Sequence, residues 1–279
     1  LKESKRPASF FSVAVRQFFP ILGLNLHLNY ICKMSSWPNN LSKSTTHPPV
    51  SIVTPTYNRK KFIPWLIECI KAQTYPKERM EWLIFDDGTE KIGDLLTPYI
   101  SSMNIRYFSS DTKLTIGAKR NRLHDEARGT IIVTMDDDDY YPPERVHHAV
   151  MTLLSKKVEL CGSSRNHLYF TDDGGIWEIG PYTPYHATFG TMAFTKEYLK
   201  TNRCDETVTH AEEVQFTKTY SNTLAQLDPM KVMLVMCHKE NTYSKNKLRE
   251  SPPHNMKKTA FKLKAWVRSA KQREFYMSA

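Results

Sequence analysis

Short apolar runs separated by mixed segments of helix length recur along the middle of the chain, and most of the runs stop at a polar cluster. Val50-Ser-Ile-Val-Thr-Pro55 is β-rich and closed by a proline. Residues 60–73 carry Phe62, Ile63, Leu66, Ile67 and Ile70 in a pattern that suits a helix. Glu81-Trp-Leu-Ile-Phe85 predicts a buried strand, stopped by Asp86-Asp87-Gly88, and Ile105-Arg-Tyr-Phe108 predicts another. Residues 116–127 predict a helix that ends near Gly129. Thr130-Ile-Ile-Val-Thr-Met135 predicts a strand that runs straight into four aspartates, and Pro142-Pro143 then opens a helix through about Leu154. Alternating strands and helices imply an α/β fold with a mostly parallel central sheet flanked by helices. Such sheets bind ligands beyond the carboxyl ends of their strands. The polar clusters at 56–59, 86–88 and 136–139 fall at those ends.

The second half changes character. Leu168 to Ile179 predicts two short strands around an Asp-Gly turn, which makes Asp172 and Asp173 turn residues. The expected organisation is an N-terminal extension and linker over 1–49 and a catalytic body over 50–244. The body divides into a nucleotide-binding half, 50–155, and an acceptor-binding half, 156–244. A basic C-terminal tail over 245–279 follows. The run from Phe10 to Cys32 is broken by Arg16, Gln17 and Pro20, which suits neither a membrane span nor a signal peptide. The chain begins with Leu1 and Met34 is a plausible start, so residues 1–33 are either a fragment or translated upstream sequence, or part of the natural protein.

Charge sharpens this division. The net charge is +10. Residues 1–49 carry six Lys/Arg against one acid, and 245–279 carry ten against two, which leaves the body at −3. A DNA-binding domain usually carries its basic patch on the folded body, so no nucleic-acid partner is expected for the body. A nucleic-acid-binding protein acting through its two ends is the non-enzyme alternative. Lys257 to Arg273 holds Phe261, Leu263, Trp266 and Val267 among seven Lys/Arg; a solvated terminal helix, or a basic amphipathic helix in peripheral contact with an anionic membrane, is expected there. Five cysteines, an odd number without metal-site spacing, favour a reducing, cytoplasmic location.

The candidate chemistry sits in the polar clusters. Four adjacent carboxylates repel one another unless a cation or solvent screens them, and here a strand delivers them to the binding edge. Asp136 and Asp138 can reach a Mg2+ or Mn2+ shared with two phosphates. Asp86 or Asp87 can accept from a base N–H, or can simply form a turn. In Thr54-Pro55-Thr56-Tyr57-Asn58-Arg59, Tyr57 can flank a base and Arg59 can neutralise phosphate, while Asn58 can instead cap the next helix. Gly117-Ala-Lys119-Arg120-Asn121 places two cations at a helix start. There is no GxGxxG or Walker A string, so dinucleotide oxidoreductases and P-loop enzymes lose support.

In order and spacing these strings resemble the inverting glycosyltransferases of family 2. The resemblance is firm over about 50–155 and looser to about 244, and it implies the GT-A fold of nucleotide-diphospho-sugar transferases. It further implies transfer of a sugar from a nucleoside-diphosphate donor, a UDP-sugar being favoured, to a glycan, lipid or protein acceptor. The transfer would invert the sugar with Mn2+ or Mg2+ as cofactor. By the same resemblance Thr54, Pro55, Thr56, Tyr57, Asn58 and Arg59 form the nucleotide loop, and Asp86 or Asp87 reads the base. Lys119, Arg120, Asp136 and Asp137 lie along the donor. Asp136 and Asp138 form the DxD pair, with Asp138 touching the metal. The family's later Glu-Asp pair is matched by Glu212-Glu213, either of which can be the catalytic base. His238, in a His-x-x-Asn-Thr segment, is implied as a further metal ligand. Phe189 to Phe194 resembles the wall beneath the acceptor, and Trp177, Tyr182 and Tyr185 can stack on sugar or pack ordinarily. A sugar nucleotidyltransferase is the alternative enzyme, but its glycine-rich loop after the first strand is missing between Thr54 and Lys60.

Overall fold

A computed structural model of the chain describes residues 29–31, 46–241 and 245–279. The expectations about residues 1–28, about the Met34 start and most of the linker, and about Thr242 lie outside the described residues. In chain order the strands are β1 (Asn29–Ile31), β2 (Val50–Thr56), β3 (Met80–Asp86), β4 (Ile105–Ser109), β5 (Ile131–Thr134) and β6 (Leu160–Gly162). They continue with β7 (Asn166–Phe170), β8 (Ile176–Ile179), β9 (Ala193–Thr195), β10 (Ala225–Gln226), β11 (Leu234–Cys237) and β12 (Met256–Lys258). The helices are α1 (Ile63–Ala72), α2 (Gly93–Leu96), α3 (Ile116–Glu126), α4 (Arg145–Lys156), α5 (Glu213–Phe216), α6 (Asn246–Glu250) and α7 (Ala270–Ser278).

The main sheet has the order β1-β4-β3-β2-β5-β9-β6-β10, with β4, β3, β2 and β5 mutually parallel. β9 enters antiparallel between β5 and β6. The parallel strands read as continuous apolar runs because both faces are covered. On one face Ile52, Trp82, Ile84 and Val133 pack with residues of α1 and α4, and on the other Val53, Leu83, Phe85 and Ile132 pack with Leu123 of α3 and Phe194. A second sheet, β11-β7-β8-β12, contains the expected hairpin, with Asp172 and Asp173 between β7 and β8. The two sheets meet at one bridge, Tyr140 to Leu234, directly after the four aspartates.

The C-terminal segment departs from the expected tail. β12 pairs antiparallel with β8, and Leu263, Trp266, Val267 and Tyr276 are buried in the larger core. The helix expected over 257–273 is instead a strand, a single turn at 263–265, and α7. The apolar residues that a membrane-facing helix would need are spent on the core, and only Phe261 stays exposed. Basic charge helps the segment dock: Arg249 pairs with Asp172 and Asp173, Lys257 with Glu178 and Lys258 with Asp173. Among the described residues no helix is long and apolar enough to cross a membrane.

Candidate active site

Three neighbouring strands, β3, β2 and β5, end at one edge. Their register sets Thr56 beside Asp86 and Val53 beside Thr134, so the three polar clusters leave the sheet side by side. Thr56 joins them. Its carbonyl accepts from the Asp87 N–H at 3.5 Å and from Lys119 Nζ at 3.4 Å. Its hydroxyl favours the charge of the Asp137 carboxyl without an aligned hydrogen bond.

Several of the expected contact residues carry bonds within the fold. Thr54 is fully buried; its hydroxyl donates to the Met135 carbonyl and accepts from Trp82 Nε1, and Pro55 is buried beside it in β2. Neither faces the edge, because β2 is covered on both sides. Asp86 is 0 % exposed and accepts from the Gly88 and Ile92 N–H groups and from the Tyr107 hydroxyl. That carboxylate is enclosed in the fold with three donors on it, which leaves Asp87 as the base-reading candidate of the pair. Asn58 does not cap α1, whose N-cap is Phe62 without a side-chain bond. Asn58 sits at φ 53° and accepts from the Thr89 and Glu90 N–H groups, stapling the loop after β2 to the loop after β3. Gly88 is needed at that staple, since a Cβ there would lie 2.7 Å from Asn58 N and Oδ1.

Asp87 pairs with Lys119 at 2.9 Å and accepts from the Leu114 N–H at 2.7 Å. Tyr57 lies beneath two cations, with Lys113 Nζ 4.0 Å and Lys119 Nζ 5.7 Å from its ring centre. Lys113 escaped the sequence reading. Its only signal is a cation in the loop after a strand at the binding edge.

The aspartates divide their work. Asp139 accepts from the Met236 N–H at 2.8 Å and ties the loop to the second sheet; burial and the neighbouring Asp138 push its carboxyl up. Asp137 is pushed up to about 8, by burial first and then by Asp138. Asp138 is held below the usual carboxylate range although burial opposes this, because His238, Lys245 and Arg59 favour its charge. Its Oδ2 lies 3.1 Å from His238 Nε2, 3.2 Å from Asn241 Nδ2 and 3.6 Å from Arg59 Nε. His238 is fixed by the Phe62 ring at 4.6 Å and by the Glu240 N–H on Nδ1. Arg59 also donates to the Glu240 carbonyl.

Asp136 turns the other way. Its N–H donates to the Tyr141 hydroxyl at 2.5 Å, and its Oδ1 lies 3.0 Å from Arg120 Nη2, a charge contact without hydrogen-bond alignment. Arg120 Nε donates to Glu212 Oε1 at 2.6 Å, and the guanidinium lies 4.1 Å over the Phe189 ring. Arg120 is 3 % exposed, so it acts as a buried brace between the acidic loop and the start of α5 and does not face solvent. Gly117 permits this docking of α3, since a Cβ there would fall 1.8 Å from the Asp205 carbonyl oxygen.

Glu212 is therefore committed to Arg120. Glu213 has no cation partner among the described residues, and its carboxyl is raised from the ordinary 4.5 to about 7, by burial first and then by Glu212. The site thus separates a tied carboxylate from one tuned near neutrality.

A divalent cation can be tested against these donors. Among the described residues no three His, Cys, Asp or Glu side chains converge on a point. Mg2+ and its relatives, however, usually take one or two protein groups plus substrate phosphates. Two ligands at right angles about 2.1 Å from a cation lie about 3 Å apart. The 3.1 Å between Asp138 Oδ2 and His238 Nε2 is a hydrogen bond, since Nδ1 accepts from the Glu240 N–H and Nε2 therefore holds the proton; a cation taking both groups would displace that proton. Asp138 and His238 are brought together as expected, while Asp136 is drawn to Arg120.

Residues 51–203 match the family model described as glycosyl transferase family 2. The glycosyltransferase AglE of Haloferax volcanii is 26% identical over 128 residues, which cover 45% of this chain and 42% of that protein. The poly(ribitol-phosphate) beta-N-acetylglucosaminyltransferase TarS of Staphylococcus aureus is 27% identical over 118 residues, 38% of this chain and 21% of TarS. The chain therefore spans less than half the length of these relatives. Among solved structures, TarS 1–349 in complex with UDP-GlcNAc superposes with a TM-score of 0.56 at 19% identity, covering 69% of this chain and 60% of that one. The mannosyltransferase PcManGT from Pyrobaculum calidifontis, in complex with GDP-Man and Mn2+, gives 0.57 at 17% identity over 71% and 59%. At these identities the structures establish a shared fold, the GT-A α/β fold with its mostly parallel sheet.

Proposed function

We propose, from the premise that the chain belongs to glycosyl transferase family 2, that it moves a sugar from a nucleoside-diphosphate donor to an acceptor hydroxyl, with inversion and with a divalent cation. One observation supports this: Asp87 and the 136–139 loop follow neighbouring strands of one sheet, Lys119 pairs with Asp87, His238 pairs with Asp138, and Arg120 links Asp136 to Glu212 at the start of α5.

In this reading Tyr57 flanks the donor's base and Asp87 accepts from it, while Lys113, Lys119 and Arg59 supply positive charge beside the diphosphate. Asp138 and His238 would hold the cation, whose chemistry when bound is to neutralise charge on the departing diphosphate. Glu213 takes the proton of the acceptor hydroxyl as its oxygen attacks the anomeric carbon. The bond to the diphosphate breaks on the opposite face, and one such displacement inverts the carbon. A carboxylate titrating near 7 suits that task, because about half of it is ionised and able to accept at neutral pH while it is basic enough to pull. Asp137, buried and raised, and Arg120, braced between two acids, are given positioning roles.

The test is a screen of nucleotide sugars, UDP-sugars first, for Mn2+- or Mg2+-dependent release of the nucleoside diphosphate. Asp138→Ala is expected to lower that release at least about a hundredfold while the far-ultraviolet circular dichroism stays unchanged. Full turnover in this variant, or turnover indifferent to chelator, would remove the metal assignment.

A further inference from the structure

Beside the candidate base stands a set of rings that the donor chemistry does not use. Tyr182 and His186 stack at 4.4 Å between ring centres with a tilt of 36°, and His186 and Tyr220 stack at 4.6 Å with a tilt of 33°. Tyr182 is 43% exposed, too open for a ring that serves only the core. The stack joins the site through Tyr220. This residue ends the turn that continues α5, whose first residue is Glu213, and the charges of Glu213 and Glu212 both act on its phenol.

Two features mark the stack as built for a purpose. Lys218, Thr219 and Tyr220 are consecutive non-glycine residues at φ 51°, 57° and 58°. Such residues cost on the order of 1 kcal/mol or more each and persist where the surroundings hold them. Here Thr219 N–H donates to the Val214 carbonyl and Tyr220 N–H to the Thr217 hydroxyl. The loop under Tyr182 and His186 is braced as well, because Gln226 Nε2 donates to the Pro184 and His186 carbonyls. Among the described residues His186 Nδ1 is buried without a hydrogen-bond partner.

From this geometry we infer that Tyr182, His186 and Tyr220 form the acceptor subsite, and that the acceptor is itself a carbohydrate. This rests on the transferase reading above. A pyranose offers an apolar C–H face and a rim of hydroxyls. Ring surfaces that bury the former and carry phenol and imidazole groups for the latter are its natural complement. A sugar seated there brings a hydroxyl toward Glu213, whereas a lipid tail would leave the phenols and the imidazole unused.

Saturation-transfer NMR on the full chain tests this, with lactose, maltose and chitobiose as probes and nucleoside-diphosphate release from a donor panel measured in parallel. Saturation is expected on the ring protons of at least one disaccharide. Binding should be about tenfold weaker in Tyr182→Ala and in His186→Ala, and restored in Tyr182→Phe, which keeps the ring. No saturation on any probe while the donor turns over would overturn the acceptor subsite and leave the transferase reading standing. Equal binding by Tyr182→Ala and His186→Ala would do the same. Disaccharide binding with no turnover of any donor would overturn both, since the sugar would then have no transfer to accept.

Discussion

If Glu213 is the base, its neighbour Glu212 sets the pH at which the enzyme works, and Glu212→Gln exposes this. The Glu213 carboxyl stands at about 7 against an ordinary 4.5, with burial the larger cause and Glu212 the second. Glu212 raises it by less than burial does, and removing that charge is expected to lower it on the order of one pH unit, or about 1.4 kcal/mol. The sign follows from the base having to be ionised: transfer falls as pH drops through the Glu213 pKa. Removing the Glu212 charge makes Glu213 easier to ionise. It also leaves Arg120, now facing only Asp136, free to favour the Glu213 carboxylate. Both effects move the acid limb of the rate profile down. The assay is kcat/KM for sugar transfer at steps from pH about 5 to 9, which reports groups of the free enzyme. The unsubstituted chain should lose half its rate near pH 7, and Glu212→Gln about one unit lower, with its plateau reduced only through any loss of positioning. Glu213→Gln should show no such limb and about a hundredfold or greater loss of rate. An acid limb that stays put in Glu212→Gln, or that survives in Glu213→Gln, would refute Glu213 as the base.

Three further outcomes follow from the packing. Arg120→Met leaves the buried Glu212 carboxylate without its cation and should cost about 3–5 kcal/mol in urea unfolding. Adding Glu212→Gln should recover more than half of that loss, and a cost below about 1 kcal/mol in the single variant would contradict the brace. Gly88→Ala drives a methyl against Asn58 N and Oδ1 and should lower stability by about 1–3 kcal/mol, read from thermal unfolding; an unchanged midpoint would show that the two loops are not stapled there. Deleting residues 245–279 removes β12 and the buried Leu263, Trp266, Val267 and Tyr276, worth about 1.5–3 kcal/mol each against a total stability of about 5–15. The remainder should lose cooperative melting by circular dichroism, whereas a dispensable tail would leave the melting curve intact.

The order of elements in the first half was legible because each parallel strand is buried on both faces. Residues 50–55, 81–85, 105–108 and 130–135 needed only to be apolar runs of strand length, and the polar residues at their ends then had one edge to share. The helices at 63–72, 116–126 and 145–156 followed from local periodicity for the same reason. The family resemblance and the clusters at 86–88, 117–121 and 136–139 were likewise written in consecutive residues.

Everything that depends on which way a side chain points was decided by the tertiary structure. Asp86 and Asp87 are alike in sequence, yet one is sealed among Gly88, Ile92 and Tyr107 and the other reaches Lys119. Glu212 and Glu213 differ only because Arg120, ninety-odd residues earlier, is close enough to one of them. Asp136 and Asp138 face opposite partners, and the basic C-terminal segment is a fourth strand plus core filling for a sheet whose other members lie up to about ninety residues before it. Periodicity reports which positions are apolar, since burial acts on each residue where it stands. It carries no record of partners distant in the chain, and it is those partners that fix the ionisation of a carboxylate and the place of a tail.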